Sequence, residues 1–398
     1  MRAPRVLFVL EYFPPHVGGV ESLFANLTRG LAEAGYAVTV ITLHLPGSPT
    51  RETMDGVEVI RVRTPQTARR YLFMLLALPL VLRHAWRADL IHTTTYNAAL
   101  PAWIAATLWH RPSVLVVHEV FGPQWNNLMG LHPLVGYGFR AFEWCILRLP
   151  FTRYVCVSAH TRTRLLRYVG VRPERAVVIY PALDYAFWDT KRHARQDLRQ
   201  LCGVPAGTFL ALYSGRPGLS KGVEYLIDAA PRVRAVLPES HIMLILARDP
   251  ADHYDRLRQR IETLGLSDYI TVRDPVPREE VPGYWLGADC VVVPSVSEGF
   301  GYAAVEAATL GCTVIATSGH SVEEVIGESV ILVPPRDAAA LADAIISVAR
   351  ARVPQPPPRQ FTLAEHIARV RALYARLLPR GVGEGSGVVA TLPQGHEG

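Results

Sequence analysis

Residues 288–311 read ADCVVVPSVSEGFGYAAVEAATLG. The first part, ADCVVVPS, is a short β-branched apolar run that predicts a buried strand. The last part, YAAVEAATLG, predicts a helix that stops at a glycine. Between them lies a turn carrying Glu298, Gly299, Phe300 and Gly301, with Glu306 two turns into the helix. Strand, tight turn and helix form the repeating unit of an open parallel sheet, and such sheets bind ligands at the C-terminal ends of their strands.

The chemistry of this turn narrows the ligand. Gly299 and Gly301 let the backbone come close to a bound molecule. The helix start near Tyr302 offers unpaired N–H groups, which suit a phosphate. Two carboxylates do not suit one: at ~10 Å and an effective dielectric of ~20, each would cost about 1.7 kcal/mol of repulsion. Ionised carboxylates accept hydrogen bonds only, so their natural partners are hydroxyls. Each such bond contributes roughly 1.5–3 kcal/mol. A nucleotide-sugar, with sugar hydroxyls at both ends and phosphates between, meets every requirement. The cations for its phosphates stand in YSGRPGLSKGVEYLIDAA (213–230), where Arg216 and Lys221 follow a strand and precede a helix. Arginine offers a planar fork and lysine a mobile point charge. Lys221 is one of only two lysines in the chain.

Outward from this centre, short β-branched runs alternate with helical stretches. In the first half the strand candidates are 6–10, 38–42, 57–62, 89–93, 113–118, 154–158 and 176–181. The segment 190–207 is polar, with no clear strand. The pattern then restarts at 208–215, 241–247, 269–272, 289–295, 312–318 and 329–335. The expectation is α/β architecture in two Rossmann-like domains. The expected bounds are residues 1–188 for the first domain and 189–353 for the second, which carries the nucleotide-sugar turn. Residues 354–380 comprise a proline-rich linker and a final helix over 362–378. The tail 381–398 reads as disordered from its composition. Its GVGEGSG lacks the flanking strand and helix of a dinucleotide fingerprint.

Composition bounds the partners. The 398 residues carry a net charge of +6, held unevenly. Residues 1–180 contain 19 Arg and no Lys against 10 acids, which gives +9 and leaves −3 for the remainder. An anionic partner for the first half follows, though scattered surface arginine would give the same sum. Five widely spaced cysteines without a CxxC pair predict reduced thiols rather than zinc or disulfides. The start, MRAPRVLFVLEYFPP, reads as a first strand rather than a signal peptide. The segment RRYLFMLLALPLVLRHAWR (69–87) has an apolar stretch of about 12 residues, where a spanning helix needs roughly 20. Two readings stand for it: packing into the core, or lying on an anionic membrane surface with Arg69, Arg70, Arg83 and Arg87 toward headgroups. The expected location is cytoplasmic, peripheral on the inner face of the cytoplasmic membrane. No nucleic-acid partner is expected.

Three motifs together resemble the retaining nucleotide-sugar glycosyltransferases of family 4 (glycosyl transferases group 1), which have the GT-B fold. They are GRPGLSKG (215–222), EGFGYAAVE (298–306) and FPPHVGGVE (13–21). The final helix resembles the family's C-terminal helix that crosses back to the first domain. The resemblance implies two facing Rossmann-like domains, a nucleotide diphosphate sugar as donor, no cofactor and no metal. It assigns Glu298 to the donor sugar's hydroxyls and Glu306 to the ribose. The backbone N–H groups of Gly299, Phe300, Gly301, Tyr302 and Ala303 would hold sugar and phosphate oxygens. Arg216 and Lys221 would stabilise the leaving diphosphate. Gly18 and Gly19 would let the first-domain loop approach the reacting centre, and His118 would stand near the donor sugar. The loop SGHSVEEVIG (318–327) departs from the family, with His320 and Ser321 where a Gly-Gly pair is common, so it receives no role. FGPQWNN (121–127) reads either as acceptor-pocket lining or as packing. No Asp-x-Asp occurs, which argues against a metal-chelating glycosyltransferase of the other common fold. Two other functions fit a nucleotide-sugar site: an epimerase on the same fold, and a non-catalytic binding subunit.

Overall fold

The computed structural model describes residues 2–16, 18–127, 131–218, 220–351 and 355–379. The tail 381–398 and its GVGEGSG lie outside these. Two sheets organise the chain. The first contains β1 (Arg5–Val9), β2 (Ala37–Leu43), β3 (Arg51–Met54), β4 (Val57–Val62), β5 (Leu90–Thr94), β6 (Ser113–Val117), β7 (Arg153–Cys156) and β8 (Ala176–Val178). Their order is β3-β4-β2-β1-β5-β6-β7-β8. The second contains β9 (Phe209–Gly215), β10 (Ser240–Leu246), β11 (Ile270–Arg273), β12 (Cys290–Val293), β13 (Val314–Thr317) and β14 (Ile331–Val333), in the order β11-β10-β9-β12-β13-β14. All pairings are parallel except β3 with β4. This is the expected pair of Rossmann-like domains.

The fold departs from the sequence expectation in two places. β3 is an addition, because RETM is a charged edge strand with an alternating exposed pattern. Its signal is the turn: Asp55-Gly56, with φ of 48° and 77°, is a hairpin-forming pair. The 69–87 segment is not one helix but two, Arg69–Leu76 and Leu78–Ala85. Pro79 causes the second start, since proline suits a first helical turn and not a helix interior.

Reversal of direction after β4 puts the helices of the first sheet on opposite faces. Helix Gly19–Glu33 covers one face, packing Phe24, Leu27 and Leu31 against Val6, Phe8 and Val40. The helices between residues 69 and 169 cover the other, with Phe73, Val81 and Ala102 against Leu7 and Ile41. The final helix, Leu363–Leu377, returns to the first domain as expected. A Cβ on Gly30 would stand 2.1 Å from Ile367 Cδ1, so glycine there lets the two helices touch. At the far end of that helix, Tyr374 hydrogen-bonds to the buried ring of His92.

Candidate functional site between the domains

The GRPGLSKG and EGFGYAAVE loops leave neighbouring strands, β9 and β12, of the second sheet. They are knitted together by backbone. The Val296 amide donates to the Ser220 carbonyl at 2.8 Å. Gly222 sits at φ 64° before helix Val223–Val236, and a Cβ there would meet the Pro294 carbonyl at 2.1 Å. Only glycine allows that approach. The consequence is direct contact between Lys221 and Glu298: Nζ lies 2.6 Å from Oε1, which also accepts from Ser295 Oγ at 2.7 Å. Burial works against charge on Glu298, but the Lys221 ammonium and these hydrogen bonds outweigh it and hold the carboxyl below its usual range. The sequence placed base and acid at separate points on the ligand; the structure joins them.

Behind the turn stands the 318–327 loop, which sequence reading left without a role. Ser321 Oγ donates to the Glu298 carbonyl at 2.7 Å. The His320 ring bridges Thr317 Oγ1 at 2.9 Å and the Ser295 carbonyl at 3.2 Å. Two buried polar side chains thus brace the backbone that aims Glu298. Gly301, at φ 85°, caps helix Tyr302–Thr309, whose first bonds run from Ala304 and Val305 to the Gly301 carbonyl. The amides of Tyr302 and Ala303 therefore precede the helical ladder. The Phe300 side chain is buried, its ring centroid 5.2 Å from that of Phe361.

Glu306 is 9% exposed, and burial pushes its carboxyl up to about 7 despite the Arg278 guanidinium 3.4 Å away. Arg278 lies over Phe187 and Trp188, at 5.4 and 5.6 Å from their centroids. Sequence reading missed Arg278, because nothing in VPREEVPG separates it from an ordinary surface cation.

The first domain closes the site from the other side. A Cβ on Gly299 would lie 1.6 Å from the His118 carbonyl, so the two domains meet backbone to backbone here. Burial drives the His118 imidazole down to about 4, so it is neutral at pH 7. A Cβ on Gly19 would stand 3.0 Å from the Tyr302 ring, which brings the first-domain glycine loop to the same place. A Cβ on Gly18 would meet Glu21 Oε2 at 2.2 Å, and Glu21 in turn pairs with His16 at 3.0 Å and feels the charge of Arg216. Arg216 itself is exposed. Next to His118 stands Glu119, a second residue that sequence reading missed. Burial and then the Glu298 charge push it up to about 7, and its Oε1 is buried without a partner. Among the described residues no three His, Cys, Asp or Glu converge where a metal ion could be held.

Two facing Rossmann-like domains with an acid, a base and a glycine turn at their junction define a glycosyltransferase fold of the GT-B type. Residues 17–187 match the description Glycosyltransferase Family 4, and residues 208–351 match Glycosyl transferases group 1. The chain belongs to this family. It is 28% identical over 276 residues to a D-inositol 3-phosphate glycosyltransferase of Corynebacterium diphtheriae, covering 66% of this chain. That match spans 62% of the relative's length, under two thirds. A second protein of that name, from Kineococcus radiotolerans, is 26% identical over 94% of this chain and 88% of its own. Anabaena Alr3699/HepE, solved in complex with UDP-glucose, has the same fold at TM-score 0.72 and 20% identity, covering 94% of this chain and all of that one.

Proposed function

We propose that this protein transfers a sugar from a nucleotide diphosphate sugar to an acceptor hydroxyl, with retention of anomeric configuration and without a metal ion. The observation that carries this reading is the Lys221–Glu298 contact beside the GFG turn, pressed against His118 of the opposite domain. A donor entering there replaces an internal ion pair with its own groups. Glu298 accepts hydrogen bonds from the sugar hydroxyls, and the released Lys221, with Arg216, faces the diphosphate. The amides of residues 299–303 point to sugar and phosphate oxygens, and Glu306 takes the ribose hydroxyls. Stabilising the leaving diphosphate lowers the barrier to an oxocarbenium-like centre, and this electrostatic help is the main way such a site speeds the reaction. The phosphate so released accepts the proton of the attacking hydroxyl on the same face. His118, neutral, contributes a hydrogen bond rather than a charge. The name of the relatives supports a phosphorylated polyol as acceptor class, and the basic first domain supports a glycan or other acceptor carried on lipid.

The test is a panel of labelled nucleotide sugars scored for transfer and hydrolysis. Turnover of one donor that disappears in Lys221→Ala and Glu298→Ala, with both variants folded, is expected. Interconversion of free donor without transfer, or binding without turnover of any donor, overturns the reading.

A further inference from the structure

Among the described residues thirteen large apolar side chains are exposed, and ten of them fall between residues 71 and 144. They occupy the outward side of the helices on one face of the first sheet. Leu75 is 61% exposed and Trp86 59%. Leu134 is 74% exposed and Tyr137 57%, both on helix Pro133–Arg148, with Trp144 further along it. Trp86 and Trp109 lie 6.5 Å apart, joining the end of Leu78–Ala85 to that of Ala99–Leu108. Single exposed apolar residues need no explanation, but a concentration of this kind marks a contact surface.

The charges of the same layer have one sign. Residues 69–111 and 131–148 contain seven arginines and two acids. Both acids, Asp89 and Glu143, are buried and engaged: Asp89 with Arg2, Glu143 with the Phe121 and Gly122 amides. Arg70 is paired with Glu11. The remaining six arginines have no carboxylate partner among the described ion pairs. Arg148 instead lies over the Trp144 ring at 4.8 Å. Beside helix Pro133–Arg148 a cavity of about 530 Å³ is lined by Tyr137, Arg140, Trp144 and Tyr168, and by Gly122 and Pro123 of the loop that leaves His118.

We infer that this whole face, helices 69–85, the 108–111 corner and helix 133–148, docks on an anionic bilayer surface. The inference deepens the lipid-acceptor part of the proposed function and rests on it. Apolar and aromatic side chains enter the headgroup–acyl boundary while the arginines meet lipid phosphates. Helices of eight to 16 residues are too short to cross, and no described helix is long and apolar enough to do so. A second copy of the chain fits poorly, since a two-fold contact would set arginines against arginines. Docking turns the 530 Å³ cavity toward the lipid, one loop away from His118.

Flotation of the full chain with phosphatidylcholine vesicles, with and without phosphatidylglycerol, tests this. Binding about tenfold stronger to the anionic vesicles, and weakened by salt, is expected. Leu134→Glu/Tyr137→Glu and Leu75→Glu/Trp86→Glu should each reduce it about tenfold or more, while nucleotide-sugar hydrolysis in vesicle-free solution is unchanged. Arg140→Glu/Arg148→Glu should remove the preference for anionic lipid. Equal binding to both vesicle types, or variants that bind as wild type, overturns the inference. So does a concentration-dependent dimer by light scattering that these variants abolish while vesicle binding persists. Vesicle binding without any donor turnover would instead sink the proposed function and leave the surface standing.

Discussion

At the scale of single residues, the site is a set of opposed charges held out of water. Lys221 is 33% exposed and Glu298 13%, so their ion pair sits between the surface and buried limits. Removing the lysine strands a carboxylate that burial already disfavours. Lys221→Ala should therefore lose more than a hundredfold in turnover and about 1–2 kcal/mol of stability, read by denaturant melts. Glu298→Gln should lose activity but keep stability closer to wild type. Glu306 makes a pH prediction. Its carboxyl is raised to about 7, so it is mostly protonated below that pH and ionised above it. An ionised carboxylate is the better acceptor for ribose hydroxyls. Affinity for a nucleotide-sugar, whose diphosphate diester does not itself titrate here, should rise as pH climbs through about 7. In Glu306→Gln that limb should vanish, and a retained limb would move the titration to Glu119. Folding stability runs the other way: a raised carboxyl binds its proton more tightly folded than unfolded, so this group's contribution is lost as pH rises from about 4.5 to 7.

At the scale of elements, closure of the two domains depends on a few contacts. Glu324, on helix Ser321–Ile326 of the second domain, accepts the Ala159 and His160 amides at 2.7 and 2.8 Å and the Tyr180 hydroxyl at 2.5 Å. It caps a first-domain helix, Ala159–Val169, whose N-terminal amides and dipole favour a carboxylate. Glu324→Ala should shift the ensemble toward an open form, seen as a larger radius of gyration in solution scattering, with a higher KM for donor. Gly299→Ala should act more severely, because its methyl would need the space of the His118 carbonyl. The expected result is a folded protein with little turnover, and a wild-type rate would refute the close approach. These contacts show which parts of the site were legible. GRPGLSKG and EGFGYAAVE could be read because each carries its chemistry within one strand–turn–helix unit. Arg278, Glu324, Glu119 and Ser321 could not, because each acquires its partner only when distant segments meet. Ser321 is a mundane residue until the fold sets it beneath the Glu298 carbonyl. Pro79 and Asp55-Gly56 are local signals in the sequence: the first breaks the helix and the second makes the hairpin.

At the scale of the whole molecule, the final helix belongs to the first domain although the chain reaches it from the second. Leu373 and Tyr374 share an apolar cluster with Val6 and Phe8, and the same cluster continues through Trp188 and Trp285, stacked 5.2 Å apart, into the second domain. The returning segment is also tied at Phe361, whose carbonyl accepts the Leu183 amide at 2.9 Å. Substituting Gly30→Val would put a branched side chain where Ile367 now sits, at a cost of about 1–3 kcal/mol for overpacking. A fall in melting temperature is expected, with loss of donor binding only if the first domain also loosens. The alternation of strands announced both sheets, but not this return path, which the resemblance to known glycosyltransferases suggested and no local pattern encoded.

The scarcity of lysine has a practical outcome. An acylating reagent finds two lysines in this sequence, Lys191 and Lys221. One sits exposed on the short turn Thr190–Arg192, the other against Glu298. Mass spectrometry of a briefly acetylated sample would thus follow the cleft through a single peptide, with Lys191 as internal reference. Donor bound in the cleft should slow modification at 221 and leave 191 untouched.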